Sequence, residues 1–306
     1  MESILVTGCL GFIGSHILEE LLLTDSKIVG IDAFTYAANK EFFELAKEKC
    51  EIHRVDICDF QSVNSLIDKY NIKKIINLAA ETHVDNSIVD ASQFLRTNFL
   101  GVHSLLEATK RRDIELIQFS TDEVYGPADL GVSFCESSSI KPQNPYSASK
   151  ASADMLIQSY RNTYGINAKI LRPSNNFGPR QHPEKLLSKA LTCIREGKRI
   201  PVYGNGRQIR QWTYVEDTAK IVRRLIESDC VFDIVNISSE YEIENVEVLE
   251  NVCSVLNVSL MDTIEYVKDR PGHDLRYSIS SKKLQDLIDY NFTDFESALK
   301  KTVLVK

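Results

Sequence analysis

The chain has no excess of basic residues, no long apolar run, no paired cysteine motif and no internal repeat, and each absence removes a class of function. Lysine and arginine number 36 against 43 aspartates and glutamates, a formal charge of −7, so the molecule as a whole repels polyanions. The basic pairs Arg111-Arg112, Arg223-Arg224, Lys282-Lys283 and Lys300-Lys301 are scattered among carboxylates and read as solvated faces; no nucleic-acid partner is expected. The longest stretch without a formal charge, Ser3 to Leu18, holds three glycines together with Ser, Thr and His. It falls short of the roughly 18 apolar residues of a membrane span, and no membrane partner is expected. No basic segment precedes it and no small-residue cleavage site follows, so it does not read as a secretory leader. The seven cysteines (Cys9, Cys50, Cys58, Cys135, Cys193, Cys230, Cys253) are odd in number and form no C-x-x-C. They suit reduced thiols buried as small hydrophobes in a cytoplasmic protein better than disulfides or zinc, and no metal site is expected.

What remains is an ordinary folded composition: 306 residues, 43% apolar and 26% charged, enough for roughly two lobes at about 150 residues each. The first half alternates short β-rich runs with longer helical patterns. That order predicts an α/β fold, a Rossmann-like doubly wound parallel sheet with helices on both faces. Strands are expected at Ser3 to Thr7, Lys27 to Asp32, Glu51 to Val55, Lys74 to Leu78, Glu115 to Ser120 and Ala168 to Arg172, each a continuous apolar run suited to burial on two sides. Helices are expected at Phe12 to Leu23, Phe60 to Tyr70, Ala91 to Arg112 and Pro145 to Tyr164, the last opening on a proline whose missing N–H costs nothing there. After Arg172, a crowd of prolines and glycines (Pro173, Gly178, Pro179, Pro183, Pro201, Gly204 and Gly206) breaks the rhythm. Residues 1–172 therefore read as a dinucleotide-binding domain and 173–306 as a smaller α/β substrate lobe. Within the latter, about 212–237 (helix Glu216 to Ser228, strand Phe232 to Ile237) reads as a return to the first sheet.

The first strand runs straight into Gly8-Cys9-Leu10-Gly11-Phe12-Ile13-Gly14 and a helix. Glycine at these three positions permits a tight turn, close backbone approach to a pyrophosphate and close helix-to-strand packing, with the anion held on unpaired amides at the helix start. The second strand ends at Asp32, eighteen residues past Gly14, where a carboxylate accepts from the adenosine ribose hydroxyls. That favours NAD over NADP, whose 2′-phosphate would meet like charge; Asp32 as a plain turn residue is the alternative. Asp56-Ile57, after the third strand, reads as an adenine contact or simply a strand end.

Two further segments carry chemistry. Tyr146 and Lys150 are four apart, on one helix face about one turn from each other. Y-x-x-x-K is common by chance, but here it follows a dinucleotide loop and five βα units. A free Tyr has a pKa of about 10, so its use as a base near pH 7 needs about 4 kcal/mol of differential stabilisation; Lys150 and a nicotinamide cation are expected to favour the phenolate. Ser120-Thr121-Asp122-Glu123-Val124-Tyr125-Gly126 follows the fifth strand at the carboxyl edge of the sheet, where open α/β folds bind ligands. If Asp122 is protonated and Glu123 ionised, one donates a proton while the other removes one, the division that elimination of water requires. An acidic turn before a helix is the bland alternative.

These motifs, with Thr35-Tyr36-Ala37, Leu78-Ala79-Ala80-Glu81-Thr82-His83-Val84-Asp85, Arg172-Pro173-Ser174-Asn175-Asn176-Phe177-Gly178-Pro179 and Asp269-Arg270-Pro271-Gly272-His273-Asp274, resemble the extended short-chain dehydrogenase/reductase superfamily from about residue 3 to about 280. Within it the chain most resembles the dTDP- and UDP-glucose 4,6-dehydratases, the Asp-Glu pair being the discriminating signal. The resemblance implies that Thr121 hydrogen-bonds the sugar 4-hydroxyl, Tyr146 removes its proton, Lys150 orients the nicotinamide ribose, Glu123 takes the C5 proton and Asp122 protonates the departing C6 hydroxyl. It implies NAD contacts at Gly8, Gly11, Phe12, Ile13, Gly14, Asp32, Thr35, Asp56, Ile57, Leu78, Ala79, Ala80, Thr82, Thr97, Tyr146, Lys150 and Asn176. For the nucleoside-diphosphate-glucose it implies Thr82, Thr121, Asn175, Lys185, Leu186, Pro201, Tyr203, Arg210, Asn245, Arg270 and His273. The two arginines suit a diphosphate, which guanidinium forks match; surface ion pairing is the alternative. His83 and His182 read as pocket or structural residues.

The chain departs from the family pattern by ending at Lys306, earlier than typical relatives, and by carrying Gln181-His182 where others often have aromatic residues; both bear on base selectivity. Helices Ala91 to Arg112 and Pro145 to Tyr164 correspond to the pair that forms a four-helix dimer interface in the superfamily, so a homodimer is expected. A 4-epimerase or decarboxylase on the same scaffold and a dinucleotide-sensing binding protein are the competing readings.

Overall fold

Seven apolar runs assemble into one parallel sheet. The computed structural model describes residues 2–110, 112–228 and 230–304, so Arg111 of the pair Arg111-Arg112 and the last two residues of the second lobe lie outside the described residues. The strands are β1 (Ser3–Thr7), β2 (Lys27–Asp32), β3 (Glu51–Arg54), β4 (Lys74–Asn77), β5 (Glu115–Phe119), β6 (Ala168–Pro173), β7 (Asn175–Phe177), β8 (Ile200–Tyr203), β9 (Ile209–Tyr214), β10 (Ile234–Ile237), β11 (Glu242–Glu244) and β12 (Ile264–Val267). The central sheet has the order β10-β6-β5-β4-β1-β2-β3, parallel throughout. The chain reverses its direction of winding between β1 and β4, and a crevice opens beyond their carboxyl ends.

Burial on both faces explains why these strands lack alternation. Helices Phe12–Leu21 and Val215–Glu227 cover one face through Leu18, Leu21, Ile221, Val222 and Leu225. Helices Phe60–Tyr70, Val102–Thr109 and Pro145–Tyr164 cover the other through Val63, Ile67, Leu105, Leu106, Ala153 and Ile157. Helix Pro145–Tyr164 has a reciprocal cap, with Ser147 N donating to Asn144 Oδ1 at 2.8 Å and Asn144 N to Ser147 Oγ at 3.2 Å, and it ends on left-handed Gly165. Its limits are those the sequence predicts, with Pro145 in the first turn as expected.

The expected single helix from Ala91 to Arg112 is instead three pieces: α-helical Ser92–Phe94, π-helical Leu95–Gly101 and α-helical Val102–Thr109. Buried Asn98 explains the widened turn. Its Oδ1 accepts from Glu81 N at 2.9 Å, and its Nδ2 donates to Glu81 O and to Ser149 Oγ, both at 2.9 Å. The loop after β4 and helix Pro145–Tyr164 are thereby fixed to each other.

The remaining strands form two small sheets: β11-β9-β7 packs on an apolar cluster around Phe177, Trp212, Val248, Val252 and Phe295, and β12-β8 on a second one of Ala190, Ile200, Val202, Leu249 and Ile264. Helix Val215–Glu227 and β10 join the central sheet, whereas β9 does not. The cysteines are all free, but the expectation of uniform burial is corrected: only Cys9 and Cys253 are buried and Cys135 is exposed. Cys135 lies in a turn beside Ser137 Oγ at 3.1 Å, outside the apolar clusters. Among the described residues no helix is long and apolar enough to cross a membrane, and no group of three or more His, Cys, Asp or Glu could hold a metal ion.

Candidate active site

The crevice beyond β1, β4 and β5 opens into a cavity of about 400 Å³ that extends into the second lobe. At its first end Gly8 has φ +62°, and a Cβ there would lie 2.6 Å from Ala79 N; a Cβ on Gly14 would lie 2.1 Å from Gly8 O. No side chain caps helix Phe12–Leu21. The first-turn amides of Phe12, Ile13 and Gly14, residues that line the cavity, are left for an anion. Asp32 is buried and accepts from Leu10 N at 3.1 Å and Phe34 N at 2.8 Å. Burial pushes its carboxyl up, while those two amides pull it down. Asp32 is thus a turn residue as well as a candidate ribose ligand, since each oxygen keeps acceptor capacity.

Leu78, Ala80 and Thr82 line the same space, and so do Tyr146, Lys150 and Asn176. Asp32, Thr35, Asp56, Ile57, Ala79 and Thr97 are not among the lining residues. Asp56 is paired with Arg96 at 2.8 Å, and the Ile57 side chain is buried in the core against the spot a Cβ on Gly101 would occupy. The glycine cradle, the open amides and the buried Asn176 Oδ1, which has no partner among the described residues, fit a dinucleotide.

Thr121 caps the 3₁₀ turn Asp122–Tyr125, and its hydroxyl donates to Asp122 Oδ1 at 3.2 Å. Tyr146, on helix Pro145–Tyr164, lines the cavity together with Thr121, Asp122 and Glu123. Asp122 is 2% exposed, and its Oδ2 has no partner among the described residues. Burial, reinforced by the Glu123 charge, pushes its carboxyl up to about 7. Glu123 lies between Asn144 Nδ2 at 3.2 Å and the Tyr277 hydroxyl at 3.5 Å, although that hydroxyl is closer to Asp274 Oδ2, at 2.6 Å. Asp122 is thus biased towards its protonated form beside a second carboxyl, that of Glu123.

The phenol is the correction. Burial and the Glu123 charge push Tyr146 up, away from the phenolate. Lys150 does not offset this: its ammonium donates to Phe119 O, and burial brings its own pKa down to about 8. The cation that would favour a phenolate has to arrive with a ligand.

In the second lobe Asn175, Lys185, Leu186, Pro201, Tyr203, Arg210, Asn245, Arg270 and His273 line the cavity. Arg210 is 5% exposed, stacks 4.2 Å from the Tyr277 ring centre and bonds only to backbone carbonyls of Ile209, Asp274 and Leu275. It has no carboxylate partner among the described residues, so surface ion pairing does not account for it. Lys185 donates to Thr82 O at 2.8 Å, bridging the lobes. Asn144 and Tyr277 are site residues that sequence reasoning missed. The Asn-Pro helix start signals the first as a cap, while the second is 154 positions from Glu123 and carries no local signal.

Beneath the acidic turn, Arg172 Nε donates to Asp154 Oδ2 at 2.9 Å and Arg172 Nη1 to the Tyr125 hydroxyl at 2.8 Å, with the Arg172 and Asp154 side chains 1% and 0% exposed. Removing one partner strands a buried charge. An Asp154→Ala variant is expected to lose about 3–5 kcal/mol of stability, checked by denaturant unfolding; a loss within error of zero contradicts this role.

A doubly wound sheet with a glycine cradle, a Tyr-Lys helix and a second lobe closing one cavity defines the extended short-chain dehydrogenase/reductase class. The sequence profile of the GDP-mannose 4,6 dehydratase family matches residues 5–302, and the chain belongs to that family. It is 38% identical to the dTDP-glucose 4,6-dehydratase of Neisseria meningitidis serogroup B, over 99% of this chain and 92% of that protein. The fold is similar to the crystal structure of DesIV, a dTDP-glucose 4,6-dehydratase from Streptomyces venezuelae with NAD bound, with TM-score 0.94, 34% identity and coverage of 98% and 95% of the two chains. It is also similar to the UDP-glucose 4-epimerase of Thermus thermophilus in complex with NAD, with TM-score 0.90, 26% identity and coverage of 98% and 97%.

Proposed function

We propose that the protein is an NAD-dependent nucleoside-diphosphate-glucose 4,6-dehydratase, converting UDP- or dTDP-glucose to the 4-keto-6-deoxy sugar. The observation that carries this reading is the buried Asp122, whose Oδ2 has no partner among the described residues, beside Glu123 and in one cavity with Tyr146. The epimerase above has the same fold, so fold does not decide; the acid pair does, because epimerisation loses no water.

Gly8, Gly11, Phe12, Ile13 and Gly14 would hold the pyrophosphate of NAD, and Asp32, Thr82, Lys150 and Asn176 would fix its ribose and nicotinamide ends. Bound there, NAD supplies a hydride acceptor, the return of that hydride, and the positive charge that Tyr146 lacks. Tyr146 takes the proton of the sugar 4-hydroxyl while Thr121 orients that hydroxyl. The resulting 4-ketone acidifies C5–H. Glu123 removes the C5 proton, Asp122 gives its own proton to the departing C6 hydroxyl, and water leaves. Arg210, Arg270 and Lys185 bind the diphosphate, and Leu186, Pro201, Tyr203 and Asn245 the nucleoside. The products are those that feed deoxysugars such as rhamnose, and the reaction suits a cytoplasmic enzyme. Incubation with UDP-, dTDP- and GDP-hexoses tests the assignment. Loss of one water by mass supports it, and a product of unchanged mass contradicts it.

The homodimer expected from the helix pair is supported by exposed apolar side chains on adjacent helices: Leu95 at 51%, Leu100 at 53% and Met155 at 62%. Such a patch marks an interaction surface. The double variant Leu100→Glu with Met155→Glu is expected to sediment as a monomer, and a wild type that is already monomeric at micromolar concentration contradicts the proposal.

A further inference from the structure

Asp85 joins the lobes at a point that no step above uses. It lies in the first turn of the short helix Val84–Val89, directly after the β4 loop. Its two carboxylate oxygens serve different partners from the second lobe: Oδ1 accepts from Arg270 Nη1 at 3.2 Å, and Oδ2 accepts from the Tyr203 hydroxyl at 3.1 Å. The Arg270 guanidinium lies 5.9 Å from the Tyr203 ring centre, so one carboxylate fixes both residues relative to each other. The Arg270 backbone is held separately. Arg270 N donates to Asp269 Oδ1 at 2.9 Å, and the same oxygen pairs with His273 Nδ1 at 2.6 Å. The turn is therefore pinned by Asp269, whereas the guanidinium is pinned by Asp85.

The division of donors decides between two roles for Asp85. A guanidinium has five N–H groups, and Asp85 engages Nη1 alone; among the described residues the other Arg270 side-chain donors meet no acceptor. The Asp85 and Arg270 side chains are 34% and 24% exposed, and both residues line the cavity. A phosphate can therefore take the free edge of the fork without displacing Asp85. A competitor for the arginine would occupy that edge instead.

We propose that Asp85 is a positioning residue that sets Arg270 and Tyr203 in the geometry that receives the nucleoside diphosphate, Arg270 at the diphosphate and Tyr203 at the nucleoside. This rests on the reading of the site given above. Without Asp85, two rotamer-rich side chains have to be ordered during binding itself, which weakens association on the order of tenfold. The chemistry at Thr121, Asp122, Glu123 and Tyr146 is untouched, so the effect falls on KM and on Kd, and kcat changes by less than about twofold.

The test uses Asp85→Ala and Asp85→Asn in the full-length enzyme, with calorimetric titration of UDP and dTDP alongside steady-state kinetics. The Asp85→Ala variant is expected to show Kd and KM raised about tenfold with kcat preserved. The Asp85→Asn variant is expected to fall between it and wild type, because a carboxamide oxygen still accepts from Tyr203; it also carries the test if the alanine variant fails to fold. A Kd that is unchanged or tighter overturns the proposal, the second result meaning competition. A fall in kcat at constant KM overturns it in favour of a structural role. A wild type that binds neither nucleotide overturns the assignment of the site and this proposal with it, whereas normal wild-type binding unaffected by either substitution overturns this proposal alone.

Discussion

Replacing Tyr146 by Phe is expected to lower turnover by about three to four orders of magnitude while leaving dinucleotide affinity within a few-fold of wild type. The ring fills the same buried site, 6.4 Å from Phe94 and edge-on to it, so the fold and the glycine cradle are undisturbed. What is lost is the phenol hydroxyl that helix Pro145–Tyr164 brings into the cavity lined by Thr121. Neighbouring groups cannot replace it: Asp122 holds its proton near neutrality, and the Lys150 ammonium is turned to the Phe119 carbonyl. Steady-state rates on the active nucleotide-glucose and NAD titration by calorimetry check this. A Tyr146→Phe variant with a turnover within tenfold of wild type contradicts the role.

The second large effect separates the two acids. Asp122→Asn is expected to slow water loss by about 10²–10³-fold, while the C5 proton still exchanges with deuterated solvent because Glu123 is intact. Glu123→Gln is expected to abolish both. The wild-type rate has a defined pH dependence: Asp122 acts in its protonated form, so the rate falls as pH rises through about 7, and the Asp122→Asn variant lacks that limb. Stability follows the same sign. The folded carboxyl titrates above its unfolded value of about 3.9. Its contribution is thus full below about pH 4 and is lost as pH rises towards 7. NMR of the product in deuterated buffer reads the exchange; equal loss of exchange in both variants contradicts the division of labour.

Much of this arrangement could be read from residue order. The glycine positions demanded a backbone cradle, and a Cβ at Gly8 or Gly14 indeed collides with backbone. Pro145 marked the start of its helix because a missing N–H costs nothing in the first turn. What could not be read depends on three-dimensional placement. The π-helical turn at Leu95–Gly101 exists because Asn98 bonds to Glu81 and Ser149, contacts that no 3.6-residue period reveals. The direction of the Tyr146 shift is likewise set by burial and by Glu123, whereas the sequence led us to expect Lys150, together with a nicotinamide cation, to favour the phenolate. Tyr277 and Asp85 join the site across lobes, and only the folded chain brings them there.

The central claim is that Tyr146 and the Asp122-Glu123 pair act on a single hexose held in one cavity. The most direct test is turnover of nucleoside-diphosphate-glucose carrying deuterium at C4 and carbon-13 throughout the hexose, mixed with an equal amount of unlabelled substrate and followed by NMR and mass spectrometry. The account predicts deuterium at C6 of the same molecules that carried it at C4, together with loss of water. Recovery of the label at C4 with no water lost, or its scrambling between molecules, contradicts it.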